Sequence, residues 1–375
     1  MKLYNPNLQL IGGFAPEDVN SHIFSVTPEQ FIGTDTSKIN QAISFINTKG
    51  YGSVVCNGSY LLDTAIIIKK NVTLVNNGLI KMKVGMKDNI IRSEPATVGV
   101  PISNIQILGN GTFQGHSDGW GSDTPSGVGT EAWRGIAILL ANCTNFKLNG
   151  FKLKNTPAWG ICLEQSRFGS IKDIDFENDG STANQDGVNV RHGSHHVVVD
   201  NISGVTNDDM IALTNLLFGN NINLLGQTIY ETGKSNFDVH DVIVRNINRY
   251  VSSGVIGAFT PPVKKGGITI LCHDGLKIYN VTVDGVHGDA QIYIQFTQIQ
   301  YWVNAQATVN DVYNIRICNT NDAPIYFGRP IKNSSLINIA RKDITATYDS
   351  GLFPVGSLNV TRKYNDGNFE FFATV

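Results

Sequence analysis

Three aspartates in one stretch of the chain have the residue type and the spacing for acid–base chemistry. Asp186 lies in the run Asn-Gln-Asp-Gly, and the pair Asp208 and Asp209 begins 22 residues later. Carboxylates held close together repel each other, so one member of such a group is expected to keep a proton near neutral pH. Hydrolysis of a glycosidic bond requires one neutral acid and one ionised acid. The three aspartates are therefore candidate catalytic residues of a glycosidase.

Two other interpretations of these aspartates stay open. Asn-Asp and Asp-Gly are favoured turn sequences, and clustered carboxylates can also bind calcium. The spacing supports catalysis only in a repetitive fold. In a chain that coils with a period near this length, groups one period apart lie side by side on neighbouring coils.

Composition and internal repeats predict such a fold. The 375 residues include 38 glycines, only 16% are charged, and the apolar residues come in short β-branched runs. Apolar pairs three positions apart recur at steps of 23, 28, 45 and 34 residues, namely Leu148/Phe151, Ile171/Ile174, Val199/Ile202, Val244/Ile247 and Ile278/Val281. A β-sandwich would also have many short strands, but it would need hairpin turns that are scarce here. We predict an all-β parallel β-helix, a single-stranded solenoid over residues 33–375, after an N-terminal arm of residues 1–32.

One amphipathic helix is predicted ahead of the strands, at about residues 36–49. Its apolar positions follow helical spacing, and they are Ile39, Ala42, Ile43 and Ile46. Asp35 or Thr36 is expected to cap its first turn. Such a helix would cover the open end of the solenoid, where core residues and unpaired strand edges are otherwise exposed.

A second family of short strands precedes the repeats, at GICL, GVNV, DMIAL, GGITIL and QIYI. Strand alternation places their apolar pairs in the core: Ile161/Leu163, Val188/Val190, Ile211/Leu213, Ile268/Ile270 and Ile292/Ile294. The alternate positions are predicted to face outward as a column of neighbours: Glu164, Asn189, Arg191, Thr269, Leu271, Tyr293 and Gln295. Because stacked strands are about 4.8 Å apart, the acidic clusters at the strand starts are expected within several Å of each other.

Charge and cysteine content exclude several functional classes. A net charge of −2 and a pI near 6.4 give no electrostatic reason to expect nucleic acid or a membrane surface as a partner. No apolar run has the length of a membrane span, and no secretory signal precedes the first strands. The five cysteines are scattered singly and are predicted to be core residues. His195 and His196 are predicted to point to opposite strand faces, so no metal ion or cofactor is expected.

The motifs together resemble a known family of enzymes. They are Gly111-Thr112-Phe113-Gln114-Gly115, NTPAWGICLEQ, Asn184-x-Asp186-Gly187 and Asp208-Asp209-Met210. This combination is similar to the pectinase-type glycoside hydrolases, the polygalacturonase family, over roughly residues 34–300. The resemblance implies a right-handed β-helix in which Asp208 is the general acid and Asp186 and Asp209 hold and deprotonate the attacking water. It also implies inversion of the anomeric configuration, with carboxylates about 6.5–9.5 Å apart.

Two features of that family are absent from this sequence. The family's Gly-His-Gly motif corresponds to GQTIYETGKSN, and its Arg-Ile-Lys strand, which binds the substrate carboxylate, aligns with Thr269-Ile270-Leu271. Arg191 and Lys265 are candidate replacement cations, and a polymer other than plain galacturonan is the expected substrate. The residues predicted to bind substrate are Glu164, Asn184, Arg191, Tyr230, Glu231, Lys265 and Tyr293.

The start of the repeat region has a second resemblance. Gly33-Thr34-Asp35-Thr36 leading into a helix, followed by SVVCNGSYLLDTAIII and NVTLV, is similar to bacteriophage tailspike depolymerases and other pectate-lyase-like β-helices. This implies an extracellular or virion-associated protein that acts on a polysaccharide. A secreted pectinase-like enzyme would be a monomer, and a tailspike would be a homotrimer. A polysaccharide lyase, a uronate epimerase and a non-catalytic glycan-binding tailspike or adhesin remain alternatives.

Overall fold

The computed structural model describes most of the chain. The described residues are 24–86, 88–94, 102–115, 135–180, 184–215, 237–250, 267–272, 275–288, 290–294, 308–320, 323, 325–327, 331–339 and 358–372. Within them, no helix is long and apolar enough to cross a membrane. All five cysteines are buried thiols, in agreement with the core positions predicted for them.

Short parallel strands dominate the described residues. In chain order they are β1 (Phe24–Val26), β2 (Gly52–Cys56), β3 (Ser59–Leu62), β4 (Ile66–Ile68), β5 (Val72–Asn76), β6 (Leu79–Met82), β7 (Ile91–Ser93), β8 (Ile102–Leu108), β9 (Thr112–Gln114), β10 (Ile136–Ala141), β11 (Cys143–Asn149), β12 (Lys152–Lys154), β13 (Trp159–Glu164), β14 (Arg167–Glu177), β15 (Val188–Arg191), β16 (His195–Val205), β17 (Ile211–Asn215), β18 (Val239–Arg249), β19 (Gly267–Cys272), β20 (Ile278–Gly288), β21 (Gln291–Ile294), β22 (Val312–Thr320), β23 (Ile325–Phe327), β24 (Ser335–Ile339), β25 (Val360–Tyr364) and β26 (Phe369–Phe372).

The strands alternate between two sheets as the chain coils. Strands β4, β7, β10, β13, β15, β17, β19, β21 and β23 form a nine-stranded parallel sheet, and the others belong to a larger sheet. The final pair, β25 and β26, is antiparallel. Each coil therefore contributes one strand to the nine-stranded sheet and pairs it with the equivalent strand of the next coil. The predicted parallel β-helix is confirmed.

Identical positions of successive coils stack in the core. In the nine-stranded sheet the aligned residues are Ile161, Val188, Ile211, Ile268 and Ile292, all fully buried. Removing such a ladder of apolar side chains from water is the main stabilising contribution of the fold. The strand family and inward positions predicted from alternation are thus confirmed.

One part of the predicted repeat alignment is wrong. As the predicted repeat requires, Leu148 aligns with Ile171 and Ile171 aligns with Val199. Val199 in turn aligns with Val244. In the next coil, however, Val244 aligns with Val283 instead of Ile278. The strands of the larger sheet are long enough to hold three apolar inward positions. The spacing of apolar residues therefore did not specify which position of β20 aligns with Val244.

The predicted capping helix is α1, Asp35–Thr48. Its four predicted apolar residues are fully buried against the first coil. The N-cap is Thr34, one residue before those expected, because its hydroxyl accepts a hydrogen bond from the backbone N–H of Ser37. A 3-10 turn, Pro28–Gln30, and β1 precede the helix, and β1 pairs with β2, so part of the predicted arm adds to the larger sheet.

Residues with a left-handed backbone conformation stack on one another at the same turn of successive coils and form a ladder. Most of its members are asparagines: Asn71, Asn104, Asn145, Asn280, Asn314, Asn333 and Asn359, all with φ between 50° and 61°. Their side-chain amides bond to one another between coils, as from Asn104 to Asn71 and from Asn145 to Asn104. Asparagine tolerates this conformation better than other non-glycine residues, which explains its recurrence. Three successive coils break the asparagine pattern with Phe168, His196 and Asp241.

Candidate active site

Backbone pairing brings two of the aspartates to the same place on neighbouring coils. Strand β15 pairs with β17 so that Val188 aligns with Ile211. Just before these strands, the Gly187 N–H donates to the Asp209 carbonyl at 2.8 Å. Asp186 and Asp209 therefore occupy equivalent positions on strands that lie about 4.8 Å apart. Their 23-residue separation in sequence is one turn of the solenoid.

Glycine is required beside the acidic residues. A Cβ atom on Gly187 would lie 2.3 Å from the carbonyl oxygen of Met210, and one on Gly160 would lie 2.7 Å from the carbonyl oxygen of Gly187. The Phe176 ring fills the core beneath both glycines. Neighbouring coils can thus approach closely at the point where the aspartates are presented.

Asp208 lies in a turn held by polar contacts. The Thr206 hydroxyl donates to the Asp208 carbonyl at 2.9 Å. Arg249, at the end of β18, donates to the Thr206 hydroxyl and to the Thr206 carbonyl at 3.2 and 2.9 Å. Sequence analysis missed Thr206 and Arg249. An Arg at the end of a strand is ordinarily a solvated residue, and only the structure shows that this one is buried.

The acidic groups lie in a largely enclosed environment. Asp186 is 6% exposed and Asp208 is 5% exposed, whereas Asp209 is half-buried. A low local dielectric strengthens the interactions of charges with one another and with nearby dipoles. Such surroundings suit an acid that must hold a proton until a leaving group takes it.

Tyr293 lies near the aspartates from a later coil. Its ring stacks on Tyr326, with centroids 5.1 Å apart. Burial is the largest cause that raises the pKa of Tyr293, and the charges of Tyr326, Asp209 and Asp208 raise it further. The hydroxyl therefore stays protonated as a donor within electrostatic range of the two acids. Its bond in the structure is to Gln291.

Two columns of side chains cover the outer face of the nine-stranded sheet. The first contains Cys162, Asn189, Ala212, Thr269, Tyr293 and Tyr326. The second contains Ala141, Glu164, Arg191, Thr214 and Leu271. The predicted outward positions are therefore stacked as expected, except Gln295, which lies outside the described residues.

Glu164 and His192 form a buried pair. Both side chains are 0% exposed, and Oε1 of Glu164 lies 2.5 Å from Nδ1 of His192. This burial argues against the substrate-binding role predicted for Glu164, because the carboxylate is already enclosed and hydrogen-bonded.

Arg191 is the last residue of β15, the strand that follows Asp186, and its charge lies against an aromatic ring. Its guanidinium carbon is 4.5 Å from the centroid of Trp159, and the side chain is only 7% exposed. Among the described residues no carboxylate pairs with it, and its Nε and the Nδ2 of Asn189 have no hydrogen-bond partner. Trp159 lies on the coil before that of Asp186, as shown by the hydrogen bond from the Gly160 N–H to the Asp186 carbonyl. This cation and amide can therefore bind an anionic or polar group on the outer face of the nine-stranded sheet.

The other predicted binding residues have mixed positions. Asn184 is half-buried in the turn before Asp186, with φ of 57°. Tyr230, Glu231 and Lys265 lie outside the described residues, so their roles stay predictions.

The predicted geometry of His195 and His196, on opposite faces of the strand, is wrong, because their Nδ1 atoms lie 2.7 Å apart. His196 has φ of 54°, and this left-handed conformation breaks the alternation on which the prediction depended.

Comparison with known proteins identifies relatives of this arrangement. A sequence model described as "Glycosyl hydrolases family 28" matches residues 51–246, more than half of the chain. No curated protein matches the sequence.

Three solved structures share the fold at low sequence identity. An exopolygalacturonase of Thermotoga maritima is 14% identical, with a TM-score of 0.54 over 84% of this chain and 81% of that chain. A family 28 exopolygalacturonase of Yersinia enterocolitica is 15% identical, with a TM-score of 0.50 over 85% and 72%. A tailspike protein variant of E. coli bacteriophage HK620 is 13% identical, with a TM-score of 0.50 over 88% and 56%. At these identities the likeness shows the fold alone.

Proposed function

The chain belongs to the glycosyl hydrolases of family 28, and from this membership we propose an inverting, three-aspartate mechanism for this polysaccharide-hydrolysing enzyme. Asp208 protonates the leaving oxygen, while Asp186 and Asp209 hold a water molecule and remove its proton. The observation that carries the proposal is the alignment of Asp186 with Asp209 on adjacent strands. It brings acids distant in sequence to one point, with Asp208 beside them.

The surroundings of the acids support a division of labour. Asp208 is held through its carbonyl by Thr206, which in turn is fixed by Arg249. The Asp208 backbone is therefore positioned by contacts made to its carbonyl group. Asp186 and Asp209 occupy equivalent positions on neighbouring coils, about one strand spacing apart, and we propose that both hydrogen-bond to the same water molecule.

We propose that the substrate is a polymer other than plain galacturonan. The outward positions of β19 are Thr269 and Leu271, where the polygalacturonase pattern has a basic pair. Neither side chain can bind a carboxylate as a cation does. Arg191 is a cation of the described outer face, and its guanidinium lies over Trp159. We propose that an anionic group of the substrate binds there, on the coil before that of Asp186.

The stereochemical outcome tests the mechanism. With a panel of bacterial capsular and plant polysaccharides, proton NMR of the first product should show the anomer opposite to that of the substrate, and reaction in H₂¹⁸O should add the label to the reducing end. Retention of configuration would contradict the inverting mechanism. An unsaturated, ultraviolet-absorbing product would support a lyase, and binding without any product would support a glycan-binding tailspike or adhesin.

Replacing Arg191 tests the class of sugar. For an acidic polymer, Arg191→Gln should raise KM about tenfold or more, because one charge-assisted hydrogen bond is lost. For a neutral polymer the change should be small. The matched control is Arg245→Gln, since Arg245 lies on the larger sheet and pairs with Asp200. Equal KM changes for acidic and neutral polymers would exclude anion recognition by Arg191.

The expected location and oligomeric state follow from the two resemblances. We propose an extracellular or virion-associated location, with a monomer for a secreted enzyme and a homotrimer for a tailspike. Light scattering of the purified chain distinguishes the two. No cofactor is required by the proposed chemistry, since the acid, base and water supply every proton.

A further inference from the structure

The asparagine ladder is interrupted at a cluster of histidines. Phe168, His196 and Asp241 occupy its left-handed positions in three successive coils, with φ of 56°, 54° and 52°. A left-handed conformation is unusual for a bulky residue such as Phe, and such strain persists where the surrounding structure requires it. The second and third of these coils carry Asp186 and the pair Asp208 and Asp209.

Three histidines lie close together near the starts of two neighbouring strands of the larger sheet. His195 and His196 begin β16, and His240 begins β18 on the next coil. One ring nitrogen from each lies within 4.8 Å of the others, and the cluster is half-buried. The Nδ1 atoms of His195 and His196 are 2.7 Å apart. Three imidazoles from two coils thus converge at a place open to solvent.

Asp241 orients one of these rings. Its Oδ2 lies 2.7 Å from Nδ1 of His240 and 3.7 Å from Nε2 of His196. A carboxylate that accepts from one imidazole nitrogen directs the lone pair of the other nitrogen outward, an arrangement that recurs behind metal-binding histidines. The Asn280 amide also donates to Asp241 at 3.0 Å and holds this carboxylate in place.

We propose that His195, His196 and His240 bind one divalent transition-metal ion such as Zn²⁺, with Asp241 as the orienting carboxylate. Imidazole nitrogens suit Zn²⁺, Ni²⁺ and Cu²⁺, whereas Ca²⁺ and Mg²⁺ prefer oxygen. At Zn–N distances of about 2.0–2.1 Å, ligand nitrogens of a tetrahedral site lie roughly 3.3 Å apart. The 2.7 Å between the Nδ1 atoms of His195 and His196 is shorter than this, and all three nitrogens lie within 4.8 Å of one another, so side-chain adjustment can reach it.

Binding requires one ring to turn. The rings of His195 and His240 are stacked 4.6 Å apart at an interplanar angle of 6°, and parallel rings cannot both aim a nitrogen at one ion. Rotation of His195 about its Cβ–Cγ bond would tilt its ring out of the stack with His240, so that both rings could aim a nitrogen at one ion. Its half-buried position leaves room for this movement, which breaks one stacking contact and adds three metal–nitrogen bonds.

The ion would connect the coils of the active site. The coil of β15 and β16 carries Asp186, and the coil of β17 and β18 carries Asp208 and Asp209. The histidines lie on β16 and β18, on a different sheet from the acids. A metal ion here would therefore stabilise the pairing of the two coils without touching the substrate.

Isothermal titration of the untagged chain with ZnCl₂ tests the proposal. We expect one ion per chain and a higher midpoint of thermal unfolding with Zn²⁺ than with EDTA. Mg²⁺ should have neither effect. His196→Asn returns the ladder's usual residue to its left-handed position, so this variant should fold at least as well in EDTA but should lose the Zn²⁺ heat and the Zn²⁺-dependent shift.

Two further variants make the outcome decisive. Asp241→Asn should weaken Zn²⁺ binding about 10–100-fold, as expected for an orienting carboxylate. His287→Asn is the control, because His287 on β20 lies outside the cluster, and its titration should match the original chain. Absence of Zn²⁺ binding, or equal loss in His196→Asn and His287→Asn, would overturn the proposal.

Discussion

Replacing Asp208 with asparagine is expected to lower kcat for the natural polysaccharide by about 10²–10⁴-fold, the usual contribution of a positioned general acid. Asparagine keeps the shape of the side chain but has no proton to give to the leaving oxygen. Because Asp208 is almost fully buried, removing its charge should leave the fold intact or stabilise it slightly. Initial rates of reducing-end release, together with thermal unfolding, measure both effects.

Substrates with different leaving groups separate the roles of the three acids. An activated aryl glycoside needs little protonation, so Asp208→Asn should recover most of its activity on it. Asp186→Asn and Asp209→Asn should stay inactive on both substrates, since the attacking water still lacks a base. Asp238→Asn is the control, because Asp238 is a partly buried aspartate that accepts from the backbone of Lys277 and lies outside the acidic cluster. Full activity of Asp208→Asn on the polysaccharide would rule out its role as the acid.

Replacing Glu164 with alanine is expected to act mainly on stability. The change leaves the fully buried His192 without its 2.5 Å partner, and removing one member of a buried pair costs about 3–5 kcal/mol. Urea unfolding should show this loss in the free energy of unfolding. The KM of the remaining folded enzyme, measured at low temperature, should stay close to that of the original chain.

A double replacement provides the control for Glu164. Glu164→Leu combined with His192→Leu removes both polar groups, and such pairs of changes cost much less than either alone. The coupling energy from the double-mutant cycle should therefore be large. A rise in KM for Glu164→Ala without loss of stability would instead favour the substrate-binding role that its outward position in the strand predicted.

The strand pattern and the acidic motifs were readable from the sequence because they depend on local rules. Alternation along a strand determines which of Ile161 and Cys162 faces the core, and it requires no knowledge of other coils. Helical spacing located α1 for the same reason. Even so, two details were wrong because several residues satisfied the same local rule. The N-cap is one residue earlier than expected, at Thr34, and the partner of Val244 is five residues further along β20, at Val283.

The contacts of the site were not readable in this way. The pairing of Glu164 with His192, the stacking of Arg191 on Trp159 and the approach of His195 to His196 all depend on side-chain rotamers or on a left-handed residue. Sequence spacing carries no information about either quantity. Buried Arg249 belongs to the same class, since nothing local distinguishes it from an exposed strand-end cation.

By itself the sequence determined a coiling chain and an acidic stretch whose spacing fits one turn of it, because periodicity and residue type are properties of the chain. The tertiary structure alone decided that Asp186 lies level with Asp209, since only backbone pairing of β15 with β17 establishes register. It also decided which polar residues are enclosed and which face the acids. Burial depends on all neighbouring coils at once, so no single stretch of sequence can specify it.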